Sequence, residues 1–224
     1  MQKPTLTETV VYRTVYWSYF WALTMGWSLR VSGRHNVPKT GPVLLVANHE
    51  SHFDPPLVGI CSPRQLRYLA RSTLFKLKPF AWTIRTLGAV PIDREVGTDG
   101  LKTVLRLLEE GCPVLMFPEG TRTETGTMQP FKPGISLLAK RAKCTVVPVG
   151  VAGCYNAWPR QHKLPTPSPI MLPATPRNIG VHFGEPYSSE VYRTMDRDGI
   201  LRHLEEKVAE ARVGAVKTQR KTSG

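Results

Sequence analysis

Asn48-His49-Glu50-Ser51-His52-Phe53-Asp54 sets an imidazole and a carboxylate four intervening residues apart. The segment follows Val43–Ala47, an apolar β-rich run entered through Gly41-Pro42. It is therefore expected at the carboxyl end of a buried strand, where open α/β sheets place their ligand sites. If the chain turns at Ser51-His52 and a helix starts near Asp54, the carboxylate faces back toward His49. An Asp accepting from one ring nitrogen fixes the tautomer and leaves the other free to take a proton. No G-x-S-x-G elbow accompanies the pair, so the nucleophile is expected to be the substrate's own hydroxyl. Two other readings compete at this point. His49 and His52 are three apart, not the four of a zinc-binding H-E-x-x-H, and no third ligand is placed. A structural role, with Asp54 as a helix N-cap and His49 as a polar helix-entry residue, also fits the segment taken alone.

A second polar tip is Phe117-Pro118-Glu119-Gly120-Thr121-Arg122-Thr123, again after an apolar run, Val114 to Phe117. Gly120 permits a sharp turn, while Thr121 and the Arg122 guanidinium can donate several hydrogen bonds to a phosphate. The plainer alternative is a solvated turn with a Glu119–Arg122 ion pair. A third strand end carries Ile92-Asp93-Arg94. Residues 120–180 hold eight Lys or Arg against one acid, Glu124, which concentrates basic charge beyond the second tip.

The elements that must position these tips alternate. Strands are expected at 43–47, 66–70, 89–92, 114–117, 145–151 and 179–183. Helices are expected at 72–87, where Pro79 can break the run, at 98–110, at 134–143 and at 196–212. This order argues for an α/β fold: one domain with a largely parallel, mixed central sheet flanked by helices on both faces. Six prolines between Tyr155 and Arg177 preclude a regular element there and suggest a long surface loop near the site. The organisation expected is an N-terminal membrane-associating helix over 1–30, a catalytic domain over 31–212 and a mobile basic tail over 213–224.

Lys and Arg number 30 against 17 Asp and Glu, a net charge of +13 that calls for an anionic partner: nucleic acid, an anionic membrane or a phosphorylated substrate. Four cysteines without paired spacing favour a reduced, cytoplasmic setting. Val10–Leu29 is rich in Tyr, Trp and Phe at helical spacing but includes Arg13. It reads as a helix lying on a membrane, where Trp and Tyr favour the headgroup boundary, or as one packed on its own domain.

Taken in order, four blocks resemble the lysophosphatidate acyltransferase family. They are Asn48-His49-x-x-x-x-Asp54, Gly88-Ala89-Val90-Pro91-Ile92-Asp93-Arg94, Phe117-Pro118-Glu119-Gly120-Thr121-Arg122-Thr123 and Val146-Val147-Pro148-Val149-Gly150-Val151. The resemblance covers about Arg34 to Tyr187. It implies transfer of a fatty acyl group from acyl-CoA or acyl-carrier protein to the sn-2 hydroxyl of lysophosphatidate, giving phosphatidate. His49 is then the general base and Asp54 its orienting partner, with no acyl-enzyme, no metal and no cofactor beyond the thioester co-substrate. Glu119, Gly120, Thr121 and Arg122 are implied to hold the acceptor phosphate, assisted by Arg94. Arg71 falls where relatives commonly carry Lys and is implied to bind the phosphate or the oxyanion, and Lys132 also aligns with a familiar basic position. The implied setting is the cytoplasmic face of the cell membrane, peripheral or monotopic. Competing readings are an acyltransferase for another lysophospholipid or an amino-acid-linked lipid, and a non-catalytic protein that binds anionic lipids. Nucleic acid is not the expected partner, because the aromatics cluster away from the basic residues.

Overall fold

The structure, a computed structural model, describes residues 6–92 and 98–221. Its centre is β2 (Val43–Ala47), every residue of which is buried. Successive strand side chains point to opposite faces, and here both faces are covered. Val43, Leu45 and Ala47 enter one apolar cluster, Leu44 and Val46 the other. Beside β2 lie β5 (Pro113–Met116) and β6 (Thr145–Ala152), both parallel to it. Outward from β5 come β3 (Arg67–Arg71) and β4 (Ala89–Ile92), also parallel. On the other side β6 pairs antiparallel with β7 (Gly180–Phe183) and with the short β8 (Tyr187–Ser188), and β7 pairs parallel with β1 (Arg30–Ser32). The strand order is β1-β7-β6-β2-β5-β3-β4, with β8 joined to β6. The sheet is thus the largely parallel, mixed one expected. Pro148 sits in β6 between the stretches paired with β8 and β7, where a residue without an N–H is tolerated.

One face is covered by α1 (Leu6–Trp27) and α2 (Asp54–Cys61), through Leu23, Leu57, Val58 and Ile60. The other is covered by α4 (Thr98–Glu109), α5 (Gly134–Arg141) and α7 (Arg197–Thr218), separated from α5 in sequence by the short α6 (Cys154–Ala157). α7 is fixed by a stripe at i, i+3 and i, i+4 spacing of Ile200, Leu204, Val208, Ala211 and Ala215. Its last turns lie directly on the sheet: a Cβ at Gly150 would stand 2.1 Å from the Ala211 carbonyl oxygen.

Three expectations need correction. The helix expected over 72–87 is divided into a 3-10 turn, Ser72–Phe75, and α3 (Lys78–Thr86). The division falls just before Pro79, where a break was expected, and Pro79 stands in the first turn of α3, where a missing N–H is harmless. The tail expected to be mobile from 213 continues α7 to Thr218, because Ala215 keeps burying against the sheet beside Gly180. Beyond the helix, Gln219 Nε2 donates to the Asn178 carbonyl and Arg220 Nη1 to the carbonyls of Ile170 and Leu172. α1 packs one face on the core through Leu23, Tyr16, Tyr19 and Phe20, yet leaves Val10, Trp17, Trp21 and Met25 exposed. Among the described residues no helix is long and apolar enough to cross a membrane.

Candidate active site

Parallel strands bring their carboxyl ends to one edge, and β2, β5, β3 and β6 each deliver a polar segment there. β2 ends in Asn48, whose amide extends the ladder: Nδ2 donates to the Val151 carbonyl at 3.0 Å and Oδ1 accepts from Val151 N–H at 2.8 Å. That staple fixes the backbone from which His49 projects. The next residues turn tightly because Asp54, at the start of α2, gathers them. Its Oδ2 accepts from Glu50 N–H at 2.5 Å, Ser51 N–H at 2.7 Å and His49 Nδ1 at 2.8 Å. Asp54 is fully buried, so this single oxygen organises both the turn and the imidazole. The turn expected at Ser51-His52 and the helix expected near Asp54 are both present.

With Nδ1 committed to the carboxylate, the neutral ring carries its lone pair on Nε2. The ring stacks on Phe117 at 4.2 Å between centroids, and its side chain keeps 17% exposure. His49 is therefore clamped on one edge and accessible on the other.

β5 continues into the second polar tip. Glu119 does not face the site's opening, as the sequence reading expected of a substrate-binding residue. It is buried, with Oε1 accepting from His49 N–H at 2.6 Å and Oε2 from Gln129 N–H at 2.7 Å. Thr123 N–H returns a bond to the His49 carbonyl at 3.0 Å. The two tips are thus joined across the strand ends by backbone bonds, with both oxygens of Glu119 already used. Burial raises the Glu119 pKa, and the two backbone N–H groups act against that. Gly120 takes φ +70° to make the turn, and the Lys132 side chain crosses above it, so a Cβ would meet Lys132 at 2.7 Å.

Arg122 is half-buried, and its Nη1 is buried without a hydrogen-bond partner among the described residues. Its pKa is lowered by burial and by the neighbouring guanidiniums of Arg160 and Arg71, while Asp54 acts in the opposite direction. Arg71 is the last residue of β3. Arg160 follows α6, and its Nη1 reaches Glu124 at 3.0 Å and Thr121 Oγ1 at 3.4 Å. His52 joins the group: burial first, then Arg122 and His49, hold its imidazole below the ordinary value, against Asp54. Three guanidiniums crowded beside two imidazoles repel one another, and an anion with several oxygens relieves that repulsion. Thr121 is exposed at the rim. Arg94 lies outside the described residues. Among the described residues no three His, Cys, Asp or Glu side chains are grouped to hold a metal ion.

Sequence reasoning missed Arg160, because nothing in the Pro-rich segment marks it. The signal lay in topology: a β6 parallel to β2 must release its following segment at the same edge. It also missed Glu50. This buried carboxylate accepts from Tyr155 N–H at 3.1 Å and from Arg212 Nε of α7 at 3.3 Å, tying α7 to the His49 turn.

Comparison with known proteins gives the family. Residues 28–152, more than half of the chain, match the Acyltransferase family. The 1-acyl-sn-glycerol-3-phosphate acyltransferase of Bacillus subtilis is 31% identical over 133 residues, 58% of this chain and 66% of that protein. That of Streptococcus pneumoniae is 29% identical over 70% of this chain and 54% of its own length. The chloroplastic enzyme BAT2 of Brassica napus is 30% identical, with 58% of this chain matched to 38% of it. The matched region thus spans less than two thirds of the length of these relatives. The crystal structure of the 1-acyl-sn-glycerophosphate (LPA) acyltransferase PlsC from Thermotoga maritima superposes with a TM-score of 0.78. That likeness covers 100% of this chain and 86% of the other at 23% identity, and it is a likeness of fold. With a family match over residues that include the His49–Asp54 pair and the Arg122 turn, the chain belongs to the acyltransferase family.

Proposed function

We propose that the protein acylates lysophosphatidate at its free sn-2 hydroxyl, using acyl-CoA or acyl-carrier protein as donor and releasing phosphatidate and the thiol. The observation that carries this reading is the His49–Asp54 pair, with Nε2 accessible, beside an unpaired guanidinium nitrogen of Arg122. The acceptor phosphate sits among Arg122, Arg71 and Arg160, with Thr121 and the Gly120 turn at its rim, and that contact sets the glycerol hydroxyl against His49. Nε2 takes the hydroxyl proton as the oxygen attacks the thioester carbonyl carbon. Asp54 stabilises the imidazolium that forms. The tetrahedral intermediate collapses, the carbon–sulfur bond breaks, and the sulfur leaves with the proton His49 had taken. No side-chain nucleophile is needed: the nearby Cys154 thiol is fully buried against Asp54, with burial holding its pKa well above the ordinary value, and the Ser51 hydroxyl is committed to the Trp158 carbonyl. The names of the relatives supply the acceptor, and the cationic cluster suits its phosphate. The exposed Trp17, Trp21 and Met25 face of α1 suits attachment at the cytoplasmic face of a membrane that holds the acceptor.

The test is thiol release from acyl-CoA and from acyl-carrier protein, with lysophosphatidate and neutral-headgroup lysolipids as acceptors. His49→Ala should lower the rate on the order of 10²–10⁴-fold. A variant as active as the wild type would refute the base assignment. Equal turnover of acceptors with and without a phosphate monoester would refute the acceptor.

A further inference from the structure

The Pro-rich segment after α6 leaves Leu164, Ile170, Met171 and Leu172 in solvent, Met171 at 90% exposure. Its backbone is nonetheless tied down on two sides. Toward α1, Ser168 N–H donates to the Gly26 carbonyl at 2.8 Å and Ile170 N–H to the Met25 carbonyl at 3.0 Å. Trp27 Nε1 donates to the Thr166 carbonyl at 2.9 Å. From just beyond α7, Arg220 Nη1 donates to the carbonyls of Ile170 and Leu172, at 2.7 and 2.8 Å. The apolar tip is therefore presented by the fold.

The tip also continues a surface. Val10, Trp17, Trp21 and Met25 are exposed and fall on one side of α1 at roughly helical spacing. The stripe ends at Met25, whose carbonyl receives Ile170. Helix stripe and loop tip form one apolar edge, larger in kind than the scattered apolar residues of an ordinary surface. Between Gln161 and Arg177 the chain carries Lys163 and Arg177 and no acidic residue. An apolar edge with a cationic border complements an anionic lipid surface, whose headgroups take the charge and whose acyl region takes the side chains. The start of the same segment walls the site: Ser51 Oγ donates to the Trp158 carbonyl at 2.8 Å, and the Trp158 ring packs on His52 and Phe53.

We infer that residues 164–172 are a second membrane-inserting element. Met171 and Leu172 enter an anionic bilayer beside α1, and Arg220 is the clamp that presents them. A contact at the end of α1 widens the apolar surface held against the lipid beyond the helix itself. This one also connects the membrane to the wall of the site. The choice of a bilayer as partner rests on the proposed function.

The experiment compares flotation of the wild type, M171D/L172D and W17E/W21E with vesicles of phosphatidylethanolamine and phosphatidylglycerol. Thiol release is measured in parallel on short-chain lysophosphatidate below its critical micelle concentration. M171D/L172D should bind vesicles on the order of ten- to a hundredfold more weakly, from the loss of two buried apolar side chains. Its rate on the dispersed acceptor should stay within about twofold of wild type, since neither residue is part of the site. Undiminished binding by M171D/L172D together with loss in W17E/W21E overturns the loop element and leaves attachment through α1. Failure of the wild type itself to bind overturns both. Absent turnover of the dispersed acceptor with intact loop-dependent binding overturns the proposed reaction and not the surface. If the loop substitutions convert a dimer to a monomer without changing vesicle binding, the edge is an interface between copies and the inference falls. A second measurement is independent of charge insertion. The four native cysteines are buried, so an environment-sensitive dye on M171C reports on the tip alone. Its emission should shift to the blue on adding vesicles, and an unmoved spectrum overturns the inference.

Discussion

Replacing Glu50 with Gln should change how the stability of the fold depends on pH. Glu50 is 3% exposed, beside Asp54 in the turn that carries His49. Burial, and then the Asp54 charge, push its pKa up to about 7 from an ordinary 4.5, while Tyr155 N–H and Arg212 act against the shift. A carboxyl whose folded value lies above its unfolded value binds more protons in the native state across that interval. Its stabilising contribution is complete below the unfolded value and is lost as pH rises through the folded one. From 4.5 to about 7, at about 1.36 kcal/mol per unit, the change is about 3 kcal/mol. Gln keeps an acceptor for Tyr155 N–H and removes the titration. Urea unfolding of both proteins at about pH 4.5 and about pH 8 isolates the effect, because every other titrating group largely cancels in the difference. The wild-type minus variant free energy should fall by about 3 kcal/mol from the lower to the higher pH. A difference that stays level, or that rises with pH, would refute the reasoning. It would mean that Arg212, at 3.3 Å, holds the carboxylate ionised in the fold.

Two substitutions in the site have expected magnitudes of their own. Asp54→Asn keeps an acceptor oxygen for the turn but removes the charge facing the imidazolium. Taking about 4 Å between charge centres and an effective dielectric near 20, the loss is about 4 kcal/mol, or roughly a thousandfold in kcat. Thermal unfolding separates this from misfolding, and a rate within tenfold of wild type in a folded variant would count against the assignment. Arg160→Ala should raise the KM for lysophosphatidate on the order of tenfold with a smaller effect on kcat, and Arg160→Lys should recover only part of it. An unchanged KM would show that Glu124, at 3.0 Å, keeps Arg160 away from the acceptor.

The parts of the fold legible in the sequence are those fixed by local pattern. Val43–Ala47 could only be a strand buried on both faces, since five apolar residues in succession leave no side for water. The polar residues after it had to lie at the sheet edge, which is why the spacing of His49 and Asp54 is enough to suggest their pairing. Pairing direction is less local. β7 follows β6 in the order of strands yet runs antiparallel to it, because the long Pro-rich segment between them returns the chain without a crossover helix. The end of α7 is hard to read in the sequence for a related reason. Ala211 and Ala215 look like a fading stripe until Gly150 and Gly180 are seen to let the helix backbone touch the sheet.

Glu119 shows most clearly what a motif leaves undecided. Its position in the Phe117–Thr123 block invites the reading of a charged group for a charged substrate, and the block does stand beside His49. Burial is a property of the packed chain, however, and here it spends both carboxylate oxygens on backbone N–H groups, one of them that of His49. The carboxylate thus sets the separation of His49 from the Arg122 turn. The two tips are rigid with respect to each other only while that bridge and the return bond from Thr123 N–H hold. In the proposed acceptor only a few bonds separate the phosphate from the hydroxyl, so a site built from two strand ends needs such a gauge. A carboxylate buried between the two ends can serve as that gauge without touching either reactant.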